Sequence, residues 1–424
     1  MKPSIIPVES MRTGAAAGSR PSPLARLWRT LLLAALEHLE HGEVRLIDAD
    51  GEHRFGRRSA RCPLHVTLRV LHPEAYADIA LGGSVGAGEA YMRGHWNCDN
   101  LTDLVRILIV NRHVLEGLEG RFARLKRPML RAFHFLNRNN RRGSARNIAA
   151  HYDLGNALYA LMLDETMAYS CGIFEHEDAT LEQASRAKFD AACCKLALTS
   201  SDHLLEIGTG WGGLALHAAR HYGCRVTTTT ISRAQYEFAQ ERIAAAGLSD
   251  RVTLLLEDYR DLRGSYDKLV SIEMIEAVGA SYLDTYFGRC SALLADHGAM
   301  LLQAITIQDQ IYESVLGQVD FIQRYIFPGS FIPSITALTG AVCRATDLKL
   351  FHLEDIGPHY ARTLAAWRAN FLEHLPQVRA LGLPDSFVRM WEFYLCYCEG
   401  GFAERQLGDV QMLLTKPGCR RMPV

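Results

Sequence analysis

The sequence predicts an α/β protein, in which a doubly wound, Rossmann-like sheet follows a small N-terminal α+β domain and carries helical insertions. Three observations carry this. From about residue 200 to 307, short apolar runs alternate with longer helical stretches, the rhythm of parallel strands joined by crossover helices. The first of those runs ends in the glycine-rich turn Gly208-Thr209-Gly210-Trp211-Gly212-Gly213. Residues before about 112 follow another rhythm, with strand-like alternation around turn residues.

Residues 1–24 are rich in Gly, Ala, Ser and Pro and predict a disordered terminus. Leu27 to His41 has the apolar spacing of a helix. Glu43 to Phe55 alternates about Asp50-Gly51, a hairpin signal. His65 to Leu71 alternates again through Val66, Leu68 and Val70, and a helical stretch runs on to Val110. Residues 25–120 are therefore expected to form the small domain. Residues 121–147 form a basic linker, in which Arg121, Arg124, Lys126, Arg127, Arg131, Arg138, Arg141, Arg142 and Arg146 have no acidic residue among them. Interleaved Phe122, Leu125, Met129, Phe133 and Phe135 give that stretch two readings, an exposed linker helix or an amphipathic segment resting on anionic lipid.

Residues 148–424 are expected to form the main domain. His203–Ile207, Arg225–Ile231, Val252–Leu256, Lys268–Ile272 and Ala299–Ile307 read as strands. Trp211–His221, Ala234–Ala246 and Tyr282–Leu294 read as helices between them. The remainder reads as mostly helical, with an aromatic-rich insertion from Ile311 to Ser334.

Composition narrows the class. The 424 residues carry a formal net charge of -1, so no global field selects nucleic acid or a membrane. Eleven cysteines, an odd number, show no CxxC spacing, which predicts free thiols in a reducing cytoplasm and no metal site. The early apolar run Leu31–Leu36 passes straight into Glu37, too short for a secretion signal or a membrane span. A cytoplasmic protein, soluble or peripheral to a membrane, is expected.

The glycine turn is the sharpest local signal. Glycines let backbone approach a ligand closely, and ligands bind at the carboxyl ends of strands in such sheets. Glu206, ending the first strand, is suited to an ammonium group. Thr230-Ile231-Ser232 and Gln235, ending the second strand, lie where a ribose would sit. Glu257-Asp258-Tyr259, ending the third, offers an acid and an aromatic face for an adenine. A dinucleotide site wants an acid where Thr230 stands, and a third glycine for helix packing. S-adenosylmethionine has no pyrophosphate and fits the pattern better.

From Ile148 to Gln411 the chain resembles the cyclopropane-fatty-acyl-phospholipid synthase family and its mycolic-acid methyltransferase relatives. The blocks that carry the resemblance are His151-Tyr152-Asp153-Leu154-Gly155-Asn156, Tyr169-Ser170-Cys171, the glycine turn, Asp258-Tyr259-Arg260-Asp261-Leu262, Arg324-Tyr325-Ile326-Phe327-Pro328-Gly329 and Tyr360-Ala361-Arg362-Thr363-Leu364. Gly83 to Trp96 also resembles the smaller domain of the phospholipid-acting branch.

The resemblance implies a class I S-adenosylmethionine methyltransferase fold. It assigns the cofactor to Tyr169, Ser170, Glu206, Gly208, Gly210, Gly212, Thr230, Ile231, Gln235, Asp258 and Tyr259. It implies a bicarbonate ion beside a reacting alkene, with Cys171, Glu273 or Glu276, Gln303, Ile305 and Tyr360 at the positions of its ligands. Of the two glutamates, Glu276 matches, because Met274-Ile275-Glu276-Ala277-Val278-Gly279 takes the place of a Met-Phe-Glu-His-Val-Gly motif. Cys398 matches a cysteine near the site, and His151 is a candidate for orienting the cofactor. The implied partners are unsaturated phospholipid acyl chains at the inner membrane surface, with no nucleic acid; a homodimer is compatible with the sequence.

The chemistry explains the residue types. An alkene attacking a sulfonium methyl leaves a carbocation, so water must be kept out. Phe321, Ile322, Tyr325, Ile326, Phe327, Phe331 and Ile332 are expected to wall the acyl chain, since aromatic faces stabilise cations. Gln303 and Ala277 depart from the family, whose ring-forming members usually carry histidine at both positions. Cyclopropane formation is the expected reaction, and a methyl-branched or methylene-bearing chain is its alternative. A non-catalytic lipid-binding protein is the alternative of another class.

Overall fold

The computed structural model describes residues 23–113 and 155–420. The basic stretch 121–147, and His151 to Leu154 of the first resemblance block, lie outside the described residues.

The chain divides into two compact units, and the division is not linear. One comprises residues 23–113 together with 317–326 and 375–406; the other comprises 155–316, 327–374 and 407–420.

The first unit opens with the helix Pro23–Leu36, followed by strands β1 (Gly42–Asp48), β2 (Gly51–Arg57), β3 (His65–Val70) and β4 (Trp96–Cys98). They form one sheet in the order β2-β1-β3-β4. The hairpin predicted at Asp50-Gly51 is present, with Asp48 opposite Gly51 and Leu46 opposite His53. Gly51, at φ +137, supplies a turn conformation closed to other residues. Val44, Leu46, Val66 and Leu68 are buried, as alternation requires of a half-buried sheet.

Residues from late in the chain complete this unit. Helix Asp385–Ala403 lays Phe393 4.6 Å from Phe321 and 5.8 Å from Tyr91. A Cβ added to Gly88 would lie 2.3 Å from the Phe321 ring, so only glycine admits that ring. Tyr91 Oη donates to Glu392, and Arg106 Nε donates to Glu404 at 2.7 Å. These pairs are separated by about 300 positions in the chain, which is why no local pattern announces them.

The second unit is built on seven strands, β5 (His203–Ile207), β6 (Arg225–Thr229), β7 (Val252–Leu255), β8 (Tyr266–Ile272), β9 (Leu294–Ile307), β10 (Lys349–Asp355) and β11 (Leu407–Thr415), in the order β10-β11-β9-β8-β5-β6-β7. β5 to β9 run parallel, and β11 runs antiparallel between β9 and β10. Strand order reverses between β5 and β8, the switch point at which such sheets bind ligands.

Both faces are covered. Leu205, Leu269, Met300 and Leu302 point into one apolar cluster, while Leu204, Val270 and Leu301 point into another. Neighbouring residues facing opposite cores explain the unbroken apolar runs of these strands.

β10 and β11 correct the helical reading of the last part of the chain. β10 is an edge strand with mostly exposed side chains, and β11 is buried almost throughout. Neither shows the alternation that identifies a strand from sequence alone. The helix expected over Trp211–His221 begins at Gly213 and widens to a π-helix over Ala218–Tyr222.

Candidate active site

The glycine turn leaves β5 as expected. Gly208, Gly210 and Gly212 adopt φ of +105, +52 and +85, a region that penalises a Cβ. A Cβ on Gly210 would meet nothing within 4 Å, so backbone there faces open space. The N–H groups of Gly208 and Thr209 both donate to the Thr229 carbonyl at 3.0 Å, tying the turn to β6. Trp211 is buried and anchors the turn by donating to Asn156 Oδ1 at 2.8 Å.

Glu206 lies behind the turn, paired in register with Thr228 of β6. The Thr228 hydroxyl donates to it at 2.5 Å, and burial pushes its carboxyl up to about 8. Thr230, Ser232 and Gln235 are drawn together by capping the helix Arg233–Ala245. Ser232 Oγ accepts from the Gln235 N–H, and Thr230 Oγ1 donates to Gln235 Oε1 at 2.9 Å. Ile231 lies between them, half-buried. At the end of β7, Asp258 is gripped by Arg260 through two contacts of 2.8 and 2.6 Å. Tyr259 packs edge-on against Tyr286, 5.4 Å away. An adenine amino group would therefore share Asp258 with Arg260.

Tyr169 stands among aromatic rings, 5.3 Å from Tyr159, 5.0 Å from Trp367 and 6.2 Å from Phe327. Ser170 and Cys171 follow it into the interior. Ser170 Oγ accepts from Lys188 Nζ at 2.6 Å. Lys188 is a residue the sequence reading missed. It is only 1% exposed, and burial lowers its pKa against the pull of Glu273, Cys171, Asp164 and Asp409. Its signal was positional: it falls on the buried stripe Ala184, Lys188, Ala192 of helix Leu181–Lys195, where a lysine is rare unless it is paired.

Three acids meet at the carboxyl ends of β8 and β9: Glu273 and Glu276 follow β8, and Asp409 of β11 lies opposite Ile305 of β9. Glu273 Oε1 accepts from the Cys171 N–H and from Gln303 Nε2, both at 2.8 Å. Tyr360 Oη, on helix Gly357–Glu373, donates to Glu273 Oε2 at 2.5 Å. Gln303 Nε2 also reaches Asp409 Oδ2 at 3.0 Å, while Gln303 Oε1 accepts from Gln411 Nε2 at 3.0 Å. Glu276 Oε1 accepts from the Ile305 N–H at 2.7 Å. Glu276 Oε2 and Asp409 Oδ1 are out of solvent and have no hydrogen-bond partner among the described residues. Burial, then the neighbouring Glu273, push Glu276 up to about 8 and hold Asp409 well above the carboxylate range.

The structure thus gathers Cys171, Glu276, Gln303, Ile305 and Tyr360, and adds Asp409, which sequence reasoning missed because β11 went unrecognised. Met274 links the acids to the cofactor turn, since a Cβ on Gly208 would lie 3.3 Å from its side chain. The bicarbonate implied by the resemblance does not fit here. Three of its expected donors, the Cys171 N–H, Gln303 and Tyr360, already serve the Glu273 carboxylate. A further anion would have to lie beside the Glu273 carboxylate that those donors already hold.

Two expectations fare differently. The aromatic wall is divided: Phe321, Ile322, Tyr325 and Ile326 belong to the first unit, and Phe327, Phe331 and Ile332 to the second. Phe321 is 0% exposed and fills the first unit's core, and Tyr325 Oη donates to Glu89 at 2.5 Å. Phe327, beside Tyr169, is the part of the wall at the cofactor side. Cys398 belongs to the first unit, where burial raises its thiol's pKa, and burial does the same for Cys171. Raised thiols are poor nucleophiles.

Fold and site together define an S-adenosylmethionine-dependent methyltransferase. The chain belongs to the mycolic acid cyclopropane synthetase family, whose model matches residues 139–412. It is 38% identical over 387 residues to the tuberculostearic acid methyltransferase UfaA1 of Mycobacterium tuberculosis, covering 89% of each chain. It is 34% identical to the cyclopropane-fatty-acyl-phospholipid synthase of Escherichia coli K12, covering 82% of this chain and 87% of that one. Among solved structures, mycolic acid cyclopropane synthase CmaA1 complexed with SAH and CTAB superposes with a TM-score of 0.60 at 31% identity, covering 64% of this chain and 98% of that one.

Proposed function

We propose that this enzyme carries the methyl group of S-adenosylmethionine to the double bond of an unsaturated fatty acyl chain in a membrane phospholipid. The observation that carries the proposal is the enclosed acid cluster Glu273, Glu276 and Asp409, reached from the glycine turn through Met274 and flanked by Tyr169, Trp367 and Tyr360. Methyl transfer to nitrogen or oxygen releases a proton that water can take. Transfer to an alkene leaves a carbocation that must lose a carbon-bound proton to a base held away from water.

Tyr169 and the glycine turn position the cofactor, and the rings of Phe327 and Trp367 near Tyr169 exclude water from the reacting carbon. The alkene π pair attacks the sulfonium methyl, and sulfur leaves with its bonding pair. The cation on the acyl chain then gives up a proton from the new methyl group. If that happens at once, the C–H pair closes a cyclopropane. If a hydride shifts first from the methyl-bearing carbon, the same proton loss leaves a methylene group. Gln303, standing in place of histidine, and the 38% identity to a tuberculostearic acid methyltransferase favour the second course. A saturated methyl branch would need a hydride donor acting afterwards, in a separate reductive step.

Gas chromatography with mass spectrometry of phospholipid acyl chains, after expression in a host that makes monounsaturated fatty acids, tests the proposal. Gain of one carbon on the unsaturated chains supports it, and retention times separate ring from methylene. Recovery of unaltered chains, with S-adenosylmethionine bound by the purified protein, overturns it.

Action on phospholipid puts the enzyme at a membrane surface. Among the described residues no helix is long and apolar enough to cross one. Peripheral binding through the arginines of 121–146 predicts that co-sedimentation with anionic vesicles weakens with salt.

A further inference from the structure

We propose that the Glu273 carboxylate occupies the place of a bound bicarbonate and is the base that takes the proton from the newly added methyl group. The proposal rests on the acyl-methylation reading above and deepens it.

Three segments distant in sequence converge on Glu273. The Cys171 N–H comes from the turn after Tyr169, Gln303 from the end of β9, and Tyr360 from helix Gly357–Glu373. Both carboxylate oxygens are engaged, and every partner donates. That is the acceptor-only pattern of an ionised carboxylate. Bicarbonate and carboxylate share a planar O–C–O edge, so donors arranged for one also serve the other. Here the edge is supplied by a side chain.

The backbone shows that the placement is imposed. Glu273 sits at φ +46, in the left-handed region that costs a residue with a Cβ about 1–2 kcal/mol. Strain of that kind persists where the surroundings over-determine a residue, often at functional sites. The Glu273 N–H is also fixed, donating to the Gln303 carbonyl at 2.9 Å. Burial first, and then the nearby Glu273, raise Glu276 and Asp409 above the ordinary carboxylate range, so both favour the protonated form beside Glu273.

The step balances without a co-reactant. The C–C bond to the new methyl forms as its bond to sulfur breaks, and sulfur departs as a neutral thioether. Glu273 then removes one proton from that methyl group, whose C–H pair closes the ring or, after a hydride shift, forms the double bond of a methylene group. The positive charge of the sulfonium ends as the proton on Glu273, which returns to solvent before the next turnover.

The test uses the full-length enzyme in buffer stripped of carbon dioxide, with vesicles of a monounsaturated phospholipid and S-adenosylmethionine. The wild type should turn over at the same rate with and without added bicarbonate, and carbon-13 bicarbonate should show no binding by NMR. Glu273→Gly suits the local backbone, opens the space and should lose about 100-fold or more in rate, as loss of a general base does. Added bicarbonate should restore part of that rate and now bind. Cofactor affinity measured by calorimetry checks that the variant is folded; if it is not, the wild-type measurements decide alone. A wild type that stalls without bicarbonate and recovers with it overturns the proposal, as does a Glu273→Gly variant of undiminished rate. If no lipid is methylated at all, the acyl-methylation reading fails, while bicarbonate binding still decides who holds the donors.

Discussion

Lys188 Nζ lies 2.6 Å from Ser170 Oγ in the interior of the catalytic unit. It is the buried cation that faces the acids of the active site, since Glu273, Cys171, Asp164 and Asp409 all raise its pKa. Replacing it with methionine keeps most of its volume and removes its charge. Breaking a buried charge arrangement by removing one partner costs about 3–5 kcal/mol, so Lys188→Met should melt at a clearly lower temperature. Loss of a cation raises the pKa of nearby carboxylates. The acidic limb of the rate–pH profile should therefore move to higher pH. A limb that stays in place would disconnect Lys188 from the acids.

Glu206 gives a pH dependence of stability with a definite sign. Its carboxyl is raised from the ordinary 4.5 to about 8 by burial, so between those values the folded state holds a proton that the unfolded chain has lost. Its stabilising contribution is full below about 4.5 and is lost as pH rises through about 8. Thermal melts of Glu206→Gln should show a shallower decline over that window, with Glu276 and Asp409 accounting for what remains. If the cofactor's ammonium pairs with Glu206, binding near neutral pH releases a proton, which calorimetry in buffers of different ionisation enthalpy detects.

Glu276 and Glu273 should respond differently to the same substitution. Glu276 is raised to about 8, so at neutral pH it is already uncharged and a glutamine resembles it. Glu276→Gln keeps an oxygen for the Ile305 N–H, and turnover at pH 7 should fall by no more than about tenfold, a loss near 1.4 kcal/mol. Glu273→Gln turns an acceptor of three hydrogen bonds into a mixed group and should abolish turnover. Steady-state rates of the two variants, each checked for cofactor binding, measure the contrast.

Tyr360→Phe removes the phenol that donates to Glu273 Oε2. A hydrogen bond to a charged group contributes about 1.5–3 kcal/mol. The rate should drop about 10- to 100-fold, with the affinity for S-adenosylmethionine unchanged.

Gln303→His is less conservative than its family context suggests. The glutamine amide donates to both Glu273 and Asp409 and accepts from Gln411. An imidazole has only two ring nitrogens, so a buried group is left unsatisfied at a cost of about 1–3 kcal/mol. A lower melting temperature is expected. Gas chromatography of the lipid product then shows whether histidine at this position raises the share of ring over methylene.

The sequence by itself determined the parts whose physics is local. The alternation of β5 to β9 with helices, the hairpin at Asp50-Gly51, and the glycines at positive φ after β5 follow from periodicity and from the space a Cβ occupies. Only the tertiary structure decided the rest. β10 and β11 form by pairing across the sheet, and without β11 there is no Asp409 in the site. Gly88 is required by Phe321, which lies more than two hundred residues further along the chain. The donors around Glu273 come from three separate segments, and its neighbours are protonated because burial and a nearby charge act together. Hydrogen bonding and electrostatics depend on distance in space, which sequence separation does not encode.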